Sequence, residues 1–434
     1  MTEQASRQEG TAEPETGHAS WLELFFDLVV VAAIAQLAHR LQSAPTLPEV
    51  GVFVVLYLAV WIAWMSFTLY ANVARERTRR EAMLLGMVGI AIMAAAVPEA
   101  TGDRAAIFAA AYVAVRIFGM RTWAQTRQML FAWPSVQGSA GIAPWFASIW
   151  VGPPVRYALW GLGLAIDVLL PIAVARGPVI EQRVRQMLER QERDRTRQQQ
   201  REERQQQQEP RQRSGRPTRP AGPGERADRA DPRHGPLEEA RLDLSHLTER
   251  LGLCVIIVLG EAVLQVVTAA SGVPWTGRFA LIALGCLALL VSLWWPIFFR
   301  YGVLTGRSGQ LPLWALLPLH FVTTASITMV AAGLGGLVAH AGGTLETGAR
   351  WLLCGGVAGY YAAATAAGLV VRAPLRWLLG WGLPGVVAPL LLGLFGWELS
   401  NEVLLWALVV VAAWQAVYGR LDTRPGPPET PGPG

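Results

Sequence analysis

The sequence predicts an all-α fold, a polytopic membrane helical bundle of about twelve transmembrane helices, on three observations. The 434 residues are 52% hydrophobic with 44 glycines besides, and only 16% are charged. A soluble domain of ordinary composition carries about 25% charged residues, so this chain has too little polar surface to cover a core of its size. The mean hydropathy is positive, at +0.32. The apolar residues also fall in runs of spanning length, because about 20 residues rising ~1.5 Å each cross a ~30 Å hydrocarbon layer.

Such runs occur at 21–41, 49–71, 82–100, 104–123, 136–152, 155–175, 247–270, 278–299, 311–339, 350–371, 375–396 and 402–419. The run 136–152 is short and interrupted by Pro144, which leaves eleven spans or a re-entrant segment as the alternative. Pro171, Pro296, Pro318 and Pro389 lie within or near spans, where lipid-embedded helices tolerate proline. The first 20 residues carry no charged-then-apolar run before a small-residue cleavage site, so the first span is expected to serve as its own insertion signal.

Loop charge supports the count of twelve. All 37 basic residues are arginine. With the N-terminus inside, Arg75, Arg77, Arg79, Arg80, Arg121, Arg127, Arg300, Arg307, Arg372, Arg376, Arg420 and Arg424 fall on inner loops. The outer loops hold only Arg40, Arg104, Arg278 and Arg350, beside Glu99, Glu346, Glu398 and Glu402. That alternation follows the positive-inside rule and places both termini in the cytoplasm.

Composition divides the chain into a polar tail (1–20), a six-span half (21–175), a linker (176–241), a second six-span half (242–420) and a C-terminal tail (421–434). The linker holds 17 arginines and 12 acidic residues, and so carries the whole net charge of +5. Its Gln, Arg, Glu, Pro and Gly runs cannot bury enough apolar area to offset ordering entropy, so it and the tails are expected to be disordered. Its arginines suit anionic lipid headgroups. The acids among them and the lack of aromatic residues argue against nucleic acid. Six spans on either side of such a linker point to two parallel six-helix repeats, with Glu23 aligned on Glu249 and Val29 on Val255.

Several residues are expected to serve structure. Cys254, Cys286 and Cys354 lie in three different spans without metal-ligand or disulfide spacing, and no metal or cofactor is expected. Among the 18 tryptophans, Trp21, Trp150, Trp275, Trp351 and Trp397 lie near span ends and suit an interfacial belt. The pair Gly355 and Gly359 is placed to let helices pack closely. His320 has no evident partner in the sequence.

Ionisable residues within spans are the functional candidates, because charge at bilayer depth is costly and is retained where it pairs, faces water or does chemistry. Glu23 and Asp27 lie four apart on one helical face, where two carboxylates tend to share a proton. In the seventh span Ser245 is a candidate cap, followed by His246, Glu249 and Arg250. Glu261 lies about three turns beyond Arg250 on the same stripe as Cys254, Gln265 and Thr268. In the sixth span Arg156 and Asp167 share this spacing, and Arg116 is a natural partner for Asp167 or Asp27.

The same residues carry a resemblance. Trp21-Leu-Glu-Leu-Phe-Phe-Asp-Leu-Val29 followed by Ala35-Gln36-Leu37, and His246-Leu-Thr-Glu-Arg-Leu-Gly-Leu253 followed by Ile256-Ile-Val-Leu-Gly-Glu261, resemble signatures of the bacterial low temperature requirement protein A family. Trp61 to Trp64, Tyr70-Ala-Asn72, and Arg156 to Asp167 are similar to further family blocks. The resemblance implies a multi-pass inner-membrane protein named for growth in the cold. It marks Glu23, Asp27, Asn72, His246, Glu249, Arg250 and Glu261 as family positions without assigning them roles. The basic stretch Val73–Arg80 and Ile297-Phe298-Phe299 after Trp294-Trp295-Pro296 depart from the pattern, which marks a divergent member.

The leading expectation is a secondary transporter or permease with a small-molecule or ion substrate, in which Asp27 and Glu261 are proton- or cation-linked carboxylates and Arg250 is a partner or anion contact. Convergence of Asp27, Asp167 and Glu261 on one cavity is the arrangement this predicts, and separate pairing is what a structural role predicts. The alternatives are a non-catalytic scaffold or sensor acting through the linker, and a lipid-modifying enzyme using His246 and Glu249 as acid and base.

Overall fold

A computed structural model describes residues 20–74, 78, 80–126, 128–130, 140–176, 238–240, 242–301, 311–340 and 343–421. The remaining residues, which include the tails and most of the linker expected to be disordered, lie outside the described residues. The helices are α1 (Trp21–Ser43), α2 (Leu47–Ala74), α3 (Arg80–Ala96), α4 (Ala105–Thr126), α5 (Ile142–Ala147), α6 (Val155–Arg176), α7 (Leu244–Ala270), α8 (Gly277–Trp295), α9 (Leu313–Ala339), α10 (Thr347–Val370) and α12 (Asn401–Leu421). Between the last two, Leu375–Trp377, a π-helical Leu378–Gly382 and Leu383–Phe395 run on as one element, α11.

Ten of these are long and apolar enough to cross a bilayer, and α6 adds an eleventh of 22 residues, about 33 Å at 1.5 Å per residue. The element expected at 136–152 is different. Its described part is the six-residue α5 followed by a 3-10 turn at Ser148–Trp150, too short to span. Pro144 in its first turn cannot donate a helical hydrogen bond, and Gly138 and Gly141 lower helix propensity around it.

The chain nevertheless changes ends between residues 130 and 151. Arg40, at the end of α1, donates to the carbonyls of Val97 and Pro98 and to Thr101 Oγ1, and Tyr157 at the start of α6 donates to the Thr101 carbonyl. These define the Arg40 end. At the opposite, Glu23 end, Gln128–Met129 (β1) pairs in parallel with Glu238–Glu239 (β2), just before α7 begins beside Asn72 of α2. Leu130 thus lies at the Glu23 end and Val151 at the Arg40 end, and α6 and everything after it keep the sides that twelve crossings require.

Neighbour relations in the first six elements recur in the second six. The packed pairs α1–α2, α1–α3, α2–α3, α3–α4, α4–α5, α5–α6 and α2–α6 have counterparts in α7–α8, α7–α9, α8–α9, α9–α10, α10–α11, α11–α12 and α8–α12. The halves meet where α1 and α2 pack on α7 and α9. The most enclosed span is α9, rich in small residues, and Thr323, Thr324 and Thr328 there return their hydroxyls to carbonyls one turn back.

Tryptophans divide into two populations. Trp21, Trp150, Trp275 and Trp397 are exposed at helix ends as a belt requires, while Trp64, Trp123, Trp145, Trp160 and Trp381 fill the interior. All three cysteines are buried.

Of the two glycines expected to let helices pack closely, Gly359 faces α9 and Gly355 does not, and the closest backbone approach of α9 and α10 runs through Gly356 and Gly333. Gly355 faces open space, and a Cβ on Gly359 would meet only the Ser326 side chain. At Gly356 a Cβ would lie 2.8 Å from the Ser326 carbonyl oxygen, and at Gly333 2.8 Å from the Leu353 backbone nitrogen. One residue along a helix turns the side chain by about 100°, so Gly356 rather than Gly355 looks at α9. Gly356→Val is expected to destabilise the protein by about 1–3 kcal/mol or more through forced separation of the backbones. Gly355→Ala should leave stability unchanged. Thermal unfolding of the two variants in detergent checks the contrast.

Candidate functional site

The largest set of buried charged side chains lies between the halves at the Glu23 end. Helix α1 begins with a capping box, in which Ser20 Oγ accepts from the Glu23 backbone and Glu23 Oε2 accepts from the Ser20 N–H at 2.8 Å and hydroxyl at 2.9 Å. The same carboxylate reaches the second half. Glu23 Oε1 is 2.9 Å from Arg250 Nη1, an ion-pair contact rather than an aligned hydrogen bond. Glu23 Oε2 is 3.4 Å from His246 Nε2. One turn deeper, Asp27 Oδ1 accepts from Arg250 Nη2 at 2.6 Å and from Trp64 Nε1 at 2.7 Å. Arg250 Nη2 also lies 3.5 Å from Thr68 Oγ1, and the guanidinium has 0% exposure.

The register of α7 against α2 is set by its cap. Asp243, not Ser245, is the N-cap, its side chain accepting from the His246 N–H. Asn72 grips the backbone of that cap: its Oδ1 accepts from Asp243 N–H at 2.9 Å and its Nδ2 donates to the Asp243 carbonyl at 2.8 Å. Asn72 Nδ2 is also 3.1 Å from His246 Nδ1. Both imidazole nitrogens of His246 are thus engaged by residues of the first half. Glu249 is not the partner of that ring, so the His246/Glu249 acid–base pair expected of a lipid-modifying enzyme does not form.

His320, left without a partner by sequence reasoning, joins this network from α9. Its Nδ1 accepts from Trp61 Nε1 at 3.3 Å, its Nε2 faces the Leu251 carbonyl at 3.1 Å, and its ring stacks on Trp64 at 5.9 Å between centroids. The only hint in the sequence is the spacing of Trp61 and Trp64, which puts both indoles on one side of α2.

A second buried pair lies wholly in the first half. Arg116 Nη2 is 3.1 Å from Asp167 Oδ1, with both side chains no more than 2% exposed, and Tyr112 donates to Asp167 Oδ2 at 3.2 Å. The guanidinium also lies over the Tyr112 ring. Of the two partners expected for Arg116, the structure selects Asp167. Gly141 packs directly on the Asp167 carboxyl, where any side chain would collide with it, and Trp145 stacks on Trp160 at 4.8 Å. This pair therefore holds the broken fifth crossing at mid-depth. Arg156 does not share it, since its Nε donates to the Val151 carbonyl at the Arg40 end.

Glu261 stands apart from both. It accepts from Gln265 Nε2 at 2.8 Å within α7. Asp27, Asp167 and Glu261 therefore do not converge; each has its own partner, because the stripe shared by Arg250 and Glu261 runs along the helix axis and reaches different neighbours at different depths. Among the described residues no cluster of three or more His, Cys, Asp or Glu is arranged to hold a metal ion.

Breaking a buried pair by removing one partner costs about 3–5 kcal/mol, whereas apolar replacement of both partners is often neutral. Asp167→Leu is accordingly expected to destabilise strongly, and Arg116→Met with Asp167→Leu to recover most of the loss. Denaturation of the single and double variants in detergent gives the coupling; additive losses would show that the pair is not the fastening.

An uncharacterized protein of Rhizobium meliloti (strain 1021) is 26% identical over 316 residues, covering 68% of this chain and 61% of that protein, so the chain spans about three fifths of its relative's length. No solved structure matches. The bacterial low temperature requirement A family matches residues 18–417, from just before Glu23 to the last turns of α12, and the chain belongs to that family.

Proposed function

We propose that the chain is a secondary transporter or permease of the bacterial inner membrane, built of two six-element repeats whose junction is the Glu23–His246–Arg250–Asp27 network. The observation that carries this reading is the placement of the network. Glu23, Asp27, Trp64, Thr68 and Asn72 come from one half, and Asp243, His246 and Arg250 from the other. A buried charged network is weak as a stabilising device compared with apolar packing. Between two halves it serves better as a latch, because relative rotation of repeats is how alternating access is achieved. The recurring neighbour pairs support the repeats.

The orientation follows from charge. At the Arg40 end the described arginines are tied down: Arg40 to Glu49, Arg104 to Glu99, Arg278 to Glu402 and Arg350 to the Gly393 carbonyl. The surplus of arginine belongs to the loops of the Glu23 end and to the 176–241 linker, which puts that end and both termini in the cytoplasm by the positive-inside rule. Anionic headgroups of the inner leaflet are then within reach of the linker.

Separate pairing of Asp27, Asp167 and Glu261 favours one rival, a non-catalytic scaffold or sensor working through the linker. Purified protein in liposomes under a proton gradient, screened against small solutes, separates the two. The transporter is expected to show gradient-driven flux that falls at least about tenfold in Asp27→Asn and Arg250→Gln, a loss of roughly 1.4 kcal/mol or more, and less in Glu261→Gln. No flux across a broad screen, with a growth defect on deleting 190–235, would instead establish the scaffold.

A further inference from the structure

The junction is unbalanced in charge. Two carboxylates, Glu23 and Asp27, share one guanidinium, and all three lie in surroundings of low dielectric. A net negative charge there is costly, so a further positive equivalent is required. Three groups are able to take it as a proton, namely His246, Glu23 and Asp27, and hydrogen-bond geometry distinguishes them.

At His246 the neighbouring donors select the tautomer. The Asn72 amide has its orientation fixed by Asp243, since Oδ1 must face the Asp243 N–H and Nδ2 its carbonyl. Its NH2 group therefore points at His246 Nδ1, 3.1 Å away, which must present a lone pair. The imidazole proton then lies on Nε2 and is donated toward Glu23 Oε2. Protonating Nδ1 would set two donors against each other. Glu23 in turn is fully used as an anion: it accepts from the Ser20 N–H, the Ser20 hydroxyl and His246, and faces Arg250. Asp27 differs. Its Oδ1 receives both Trp64 and Arg250, while its Oδ2 is buried without a hydrogen-bond partner among the described residues.

We propose that Asp27 Oδ2 is the proton-binding atom of the junction, and that the network takes up one proton there rather than on His246 or Glu23. The proposal rests on the reading of this network as the mobile junction between halves, and names what the junction senses. The groups facing Asp27 are Glu23 on its own helix, Trp64 and Thr68 on α2, and Arg250 and Cys254 on α7. On α9, His320 reaches it only through Trp64, and the ionisable residues of α3 at this end, Arg80 and Glu81, are exposed. With the proton bound, two carboxyl groups and one guanidinium sum to zero and the latch is at its tightest. Proton loss leaves two carboxylates repelling across one arginine.

The full-length protein in phosphatidylethanolamine–phosphatidylglycerol vesicles allows a test by infrared difference spectroscopy between acid and alkaline pH. The wild type is expected to show a protonated-carboxyl band that is absent in Asp27→Asn. In Glu23→Gln the band should persist with its midpoint lowered by about one pH unit or more, roughly a tenfold change in proton affinity, because Arg250 then answers Asp27 alone. Nitrogen-15 magnetic resonance should show His246 as the Nε2–H tautomer. A band that survives in Asp27→Asn, a doubly protonated His246, or displacement of the band by sodium but not choline at fixed pH would each overturn the assignment. The readout needs no substrate, so a failed assignment is distinguishable from failed transport. The latch is read separately by maleimide labelling of a cysteine placed at Ser245, exposed at the Glu23 end: labelling is expected to quicken at alkaline pH in the wild type and not in Asp27→Asn, and labelling that responds to pH alike in both would overturn the latch.

Discussion

One guanidinium answering two carboxylates is the constraint on which this fold turns. Arg250 is fully buried, belongs to the second half, and finds both its anions on α1 of the first. A charge in that position cannot be left alone, so the depth and rotation of α7 against α1 are fixed wherever else the chain has freedom. The supporting groups follow from that requirement. Asn72 holds the α7 cap by its backbone, Trp64 completes the Asp27 oxygen that faces Arg250, and His320 braces Trp64 from α9. Four helices from two halves thereby meet at one place, and Glu23, Asp27, Asn72 and His320 each reach a group of the other half directly or through one neighbour.

The contrast with Arg116 and Asp167 shows why the two clusters serve different ends. There one cation meets one anion, Tyr112 supplies the second carboxyl oxygen with its donor, and both partners come from the same half. Nothing remains to be neutralised, and relative motion of the halves does not strain it. Gly141 and Trp145 crowd against it because a crossing without a full-length helix needs another source of position. The balanced pair fastens a defect in the bundle; the unbalanced trio lies where motion between halves would be felt.

Spans were legible in the sequence because the bilayer imposes a length on apolar runs, and eleven of the twelve appear as helices near their expected bounds. Which charged side chains gather was also legible, since scarcity of charge in these spans makes Glu23, Asp27, His246 and Arg250 conspicuous, whereas Asn72 was marked only by the family resemblance. Which of them pair was not, because pairing depends on rotation between helices. A single residue's turn puts Gly356 rather than Gly355 at the α9 contact, and a shift of two residues gives the cap to Asp243 rather than Ser245. His320 was illegible for the same reason: its partners are an indole 259 positions away and a backbone carbonyl on another helix. The expected convergence of Asp27, Asp167 and Glu261 failed because spacing along one helix says nothing of the depth at which a neighbouring helix offers a partner.

The linker enters this network mechanically. Glu238–Glu239 pairs with Gln128–Met129 after α4, Ala240 is buried, and three residues on Asp243 both caps α7 and is gripped by Asn72. The described end of the linker, Glu238–Ala240, therefore lies three residues from the cap that precedes His246 and, one turn on, Arg250. The Asn72–Asp243 grip also turns the Asn72 amide group toward His246 Nδ1. A tether that joins two halves in sequence is thus also joined, through one asparagine, to the charge balance that holds them together in space.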